Sequence, residues 1–136
     1  MKKLTFLTLF FLSLNAFGQL TPFERSGRKE TATYTEAIAF YQQLAKTFPQ
    51  QSKLFTYGST DFGKPLHVLV LSKQKIFDPA TLRKSDKRIL LINNGIHPGE
   101  PEGIDASMLF ARDLLKNNTL PDNVVICIIP IYKISV

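Results

Sequence analysis

The chain has 136 residues, with 17 Lys and Arg against 11 Asp and Glu, a formal charge of +6. A hydrophobic fraction of 44% excludes a disordered chain, the length allows one domain at most, and the single Cys excludes an internal disulfide framework. The cations at Arg25, Arg28 and Lys29 and at Arg83, Lys84, Lys87 and Arg88 have no aromatics between them, so they read as solvated faces and not as a nucleic-acid stripe.

Lys2 and Lys3 open the chain, and Leu4 to Leu14 is an apolar run broken only by Thr5, Thr8 and Ser13. Ala16-Phe17-Gly18 then puts small residues where a signal peptidase reads them, which predicts a secretory signal peptide over 1–18 with cleavage after Gly18. The run is well short of the ~20 residues of a spanning helix. An exported chain, secreted or periplasmic and free of the membrane after cleavage, is therefore expected.

Residues 19–32 are polar and without periodicity and read as a lead-in segment. Thr33 followed by Glu36 is a capping box, and Ala37, Phe40, Tyr41, Leu44, Ala45 and Phe48 recur at helical spacing until Pro49 stops the helix. Leu54 to Tyr57 and Pro65 to Ser72 read as strands about a Gly-, Ser- and Asp-rich turn, with Val68 and Val70 on one face and His67, Leu69 and Leu71 on the other. They predict a hairpin, and His67 is expected at an ordinary packing position. A polar loop over 73–87 follows. Arg88 to Asn93 contains Ile89-Leu90-Leu91-Ile92, a run suited to a strand buried on both faces.

Asn94 to Pro101 is a loop, Glu102 to Lys116 a helix with Ile104, Met108, Ala111 and Leu115 on one stripe, and Val124 to Ile131 a strand. Asp105 and Asp113 read as polar-face positions and Cys127 as a small buried apolar residue. Asn117-Asn118-Thr119 matches a short glycosylation sequon of little weight. Strand, helix, strand in this order predicts a right-handed parallel crossover.

The chemistry lies in Asn93-Asn94-Gly95-Ile96-His97-Pro98-Gly99-Glu100-Pro101-Glu102-Gly103, after a parallel strand and before a helix, where open α/β sheets bind ligands. His97 and Glu100 are three apart on a tight loop and can turn toward one point. Neutral imidazole and carboxylate suit zinc, whose catalytic sites use three protein ligands and keep one position for water. Spacing alone leaves a second reading open, in which Glu100 merely caps the next helix, where the dipole favours negative charge.

The segment Gly95 to Gly103 resembles the zinc-binding loop of the carboxypeptidase A-like zinc metallocarboxypeptidases. Tyr57-Gly58-Ser59-Thr60-Asp61-Phe62-Gly63-Lys64-Pro65-Leu66, leading into Val68 to Ser72, is similar to the hairpin that precedes that loop. The order helix, hairpin, strand, loop, helix, strand agrees over residues 33 to 132. The resemblance implies an α/β fold, the N-terminal portion of a mixed-sheet three-layer domain, with 33–136 a partial catalytic domain. It implies Zn²⁺ as cofactor, His97 and Glu100 as its first two ligands, and a peptide or peptide-like substrate cut at its C-terminal bond.

In that family the third ligand is a His from a later strand, and a distant Glu is the general base. Arginines, an Asn and a Tyr hold the substrate's terminal carboxylate. No His follows His97 here, Glu102 beside the loop suits the helix start better than the base, and Lys133 stands where an Asn is usual. The expectation is a chain that stops short of a full catalytic domain and is inactive alone. The alternatives are an N-acyl amino acid deacylase-type zinc hydrolase, whose loop is also His-x-x-Glu, and a non-catalytic exported fragment. Sequence gives no oligomeric state.

Overall fold

A computed structural model describes residues 19–97 and 99–134. The expected signal peptide at 1–18 lies outside the described residues, as do Pro98, Ser135 and Val136. Eight elements follow one another: α1 (Pro22–Arg25), α2 (Tyr34–Thr47), β1 (Ser52–Ser59), β2 (Pro65–Leu71), α3 (Pro79–Arg83), β3 (Arg88–Asn93), α4 (Glu102–Lys116) and β4 (Val124–Ile129).

The strands form one mixed sheet in the order β1-β2-β4-β3. β1 and β2 are the antiparallel hairpin that the turn residues predict, with Phe55 opposite Val68 and Thr56 opposite His67. β2 and β4 pair antiparallel, and β3 and β4 pair parallel with Leu90 opposite Ile126 and Asn93 opposite Ile129. The crossover through α4 thus returns the chain to the strand beside β3.

α2 begins at the predicted capping box. Thr33 Oγ1 accepts from Glu36 N at 3.3 Å, and Glu36 Oε2 accepts from Thr33 N at 3.0 Å. Its Phe40, Tyr41 and Leu44 pack with Met108, Ala111 and Leu115 of α4 against Leu69, Leu71, Ile126 and Ile128 of the sheet. Side chains alternate across a strand, so these four sheet residues define one face. Both long helices cover that face.

The structure adds to or corrects several sequence expectations. The lead-in 19–32 holds a short helix, with Thr21 and Glu24 making a second capping box around α1. Arg112 of α4 fixes this segment by donating to Glu24 Oε2 at 2.5 Å and to the Gln19 carbonyl at 3.2 Å. The loop 73–87 contains α3, started by Asp78 Oδ2 accepting from Thr81 N at 2.7 Å, with Pro79 at its first position. β3 is not buried on both faces. It is the edge strand, and Ile89 and Leu91 are 58% and 59% exposed. Among the described residues no helix is long and apolar enough to cross a membrane.

Candidate metal centre

The loop that carries His97 leaves β3 at Asn93, on the sheet's far edge. Its first residues stay paired to the chain that follows β4. Asn94 N donates to the Ile129 carbonyl at 3.2 Å, Tyr132 N donates to the Asn94 carbonyl at 2.9 Å, and Lys133 N donates to the Gly95 carbonyl at 2.9 Å. Gly95 has φ +62°, a backbone sign that favours glycine, and a Cβ there would lie 3.2 Å from Ile131 Cγ2, which would have to give way.

The loop then turns back. Glu100 N donates to the His97 carbonyl at 3.3 Å. The Pro101 carbonyl accepts from Ile104 and Asp105 N at 2.9 and 3.1 Å, which starts α4. Glu102 and Asp105 put carboxylates in its first turn.

This path brings the two predicted ligands together. His97 Nδ1 lies 3.1 Å from Glu100 Oε2, and both side chains are about 70% exposed, at 73% and 70%. Tetrahedral zinc, bound at about 2.0–2.2 Å by nitrogen and oxygen, holds two donor atoms roughly 3.4 Å apart. The pair is therefore within a few tenths of an ångström of that spacing, and the donor types fit. Tyr34, Gly95, Ile104, Ile131 and Lys133 line the same depression of about 260 Å³. Among the described residues there is no group of three or more His, Cys, Asp or Glu placed to hold a metal.

His67 does not join the pair. It faces α2 from β2, is 9% exposed, and shares a hydrogen bond of 3.0 Å with Thr56 Oγ1. It lines a different depression, with Thr56, Gln42 and Lys53. Burial pushes its imidazole pKa down, and a hydrogen bond to the Phe55 backbone opposes this only in part. Cys127 is half-buried in β4, and desolvation pushes its thiol pKa up, which leaves it inert.

A polar group behind the loop went unread in the sequence. Asn94, Asp105 and Ser107 are 6%, 7% and 5% exposed. Asp105, expected on a polar face, instead accepts from Ala32 N at 3.2 Å. A signal existed: Ser107 falls within the Ile104, Met108, Ala111 stripe, where a polar residue needs a partner.

Residues 37–132 match the Peptidase_M14 model, zinc carboxypeptidase. The chain belongs to the zinc carboxypeptidase family. Solved structures agree on the fold. Carboxypeptidase A from Helicoverpa armigera is 23% identical with a TM-score of 0.64, over 75% of this chain and 24% of that one. Bovine thrombin-activatable fibrinolysis inhibitor, in complex with tick carboxypeptidase inhibitor, is 19% identical with a TM-score of 0.61, over 75% of this chain and 31% of that one. The chain thus spans about a quarter to a third of the solved chains it matches. No curated protein sequence matches it.

Proposed function

We propose that this chain supplies two ligands, His97 and Glu100, of a zinc carboxypeptidase centre. The observation that carries this is their convergence to 3.1 Å on the loop between β3 and α4, in a chain of this family. His97 offers Nδ1 and Glu100 offers Oε2 to one point, and the turn that sets Glu100 back toward His97 makes the pair local. Bound there, zinc supplies Lewis acidity toward a peptide carbonyl and acidifies water. The substrate class is a peptide with a free C-terminus. The reading places the protein outside the cytoplasm, after removal of residues 1–18, with 33–136 forming part of the catalytic domain.

Two protein ligands are one fewer than catalytic zinc uses, and His67 is committed to Thr56. The 136-residue polypeptide is accordingly expected to bind zinc weakly and to release no C-terminal residue from an N-acyl dipeptide. Calorimetry with Zn²⁺ should show binding by the wild type, loss in His97→Ala and Glu100→Gln, and no change in His67→Gln. Absence of binding in the wild type, or zinc-dependent release of C-terminal residues by this polypeptide alone, would overturn the assignment of a half-site.

A further inference from the structure

The side chains of His97 and Glu100 are both exposed, so burial does not fix their place. The anchor lies three residues earlier. Asn94 is held to the end of β4 and the chain after it by its backbone on both sides, through Ile129 and Tyr132. Its side-chain amide points inward. Nδ2 donates to Ser107 Oγ at 2.7 Å and to the Ile129 carbonyl at 3.2 Å. Ser107 Oγ in turn donates to the Ile104 carbonyl at 3.2 Å. A serine hydroxyl has one proton, so the 3.1 Å contact between Ser107 Oγ and Tyr41 must run from the Tyr41 hydroxyl to the serine oxygen. Tyr41 has no exposure, and burial holds its hydroxyl above the usual phenol range, so it remains the donor.

The chain of bonds therefore joins α2, the first turns of α4 and the end of β4 to one amide at the root of the loop. Gly103 makes room for it, since a Cβ there would lie 3.0 Å from Asn94 Oδ1. The other root of the loop is fixed by the Pro101 carbonyl at the start of α4. Both roots are thus tied to the same helix, and His97 and Glu100 sit on the loop between them.

From this geometry we infer that Asn94 is the positioning residue of the His97–Glu100 pair, acting through Ser107 and Tyr41. The inference rests on the half-site reading for its purpose, but the clip itself is independent of any metal. Two measurements on the full chain separate them. Amide hydrogen exchange in Asn94→Ala should quicken for the hydrogen-bonded amides at the loop, those of residues 94, 100, 132 and 133, while the amides of α2 and β2 keep their protection. Zinc affinity by calorimetry should fall roughly ten-fold, as it does when a residue supporting metal ligands is removed.

Ser107→Ala removes the far end of the bond and leaves the Ile129 contact. It should move both readouts the same way by less, and it serves if Asn94→Ala fails to fold. Loop exchange unchanged in both variants, or protection lost evenly across the sheet, would overturn the positioning role. Zinc affinity unchanged in a variant whose wild type binds zinc would overturn it as well. If the wild type binds no zinc, the ligand reading falls, and the exchange comparison alone decides whether Asn94 holds the loop.

Discussion

His67 shows how one buried imidazole couples this fold to pH. In the unfolded chain it takes a proton near its ordinary value of 6.5, whereas in the fold burial depresses its affinity for that proton. The unfolded state therefore binds more protons below that value, and the stability His67 contributes is full above pH 6.5 and lost as pH falls through its lower folded value. Urea unfolding at stepped pH should show the midpoint dropping in the mildly acid range. In His67→Gln that slope should flatten, and an unchanged slope would assign it to another group. Residue by residue, the sequence revealed what is local. His97 and Glu100 lie three apart, and their meeting needs only a turn. Asn94, Ser107 and Tyr41 were missed because their partners come from 13 and 66 residues away, a separation that no motif window spans.

At the scale of the element, caps and stripes decided what could be foreseen. α2 was recognisable because a capping box and an apolar stripe agree over fourteen residues. α1 carries the same box, Thr21 with Glu24, but a four-residue helix has no periodicity to accompany it. α3 went unforeseen for the same reason, although Asp78 and Pro79 mark its start. The cap on α2 gives a direct test of its weight. Thr33→Ala removes the acceptor for Glu36 N and should cost about 1 kcal/mol in urea unfolding. A loss near zero would mean that packing of Phe40, Tyr41 and Leu44 holds the helix end without the cap.

For the whole molecule, the decisive fact is that both long helices lie on one face of the sheet and leave its β3 edge uncovered. The hairpin and the parallel crossover could be foreseen from alternation and element order, because those are short-range patterns, whereas the mixed sheet followed only from the family resemblance. The aliphatic run of β3 states what a strand suits and not what covers it, and a sheet of so few strands leaves such a run without neighbours on one side. Ile89, Leu90 and Leu91 are 58%, 45% and 59% exposed on an edge that carries a single charge, Arg88, at its start. Such an edge offers unpaired backbone groups and apolar side chains together, which favours strand-to-strand association. Sedimentation of the wild type should show concentration-dependent association, and Leu91→Lys should reduce it with little change in the unfolding midpoint. Equal sedimentation of the two would show that the edge is already guarded.

The nearness of His97 to Glu100 also has a consequence for the order of events during synthesis. Two ligands three residues apart need almost no loop-closure entropy to meet, whereas a group joining them from far along a chain must overcome a cost that rises with the logarithm of the intervening length. The local pair can therefore form as soon as α4 docks, without waiting for any contact from farther along the chain. On the reading proposed above, these two donors are the part of a metal site whose assembly costs the least chain entropy.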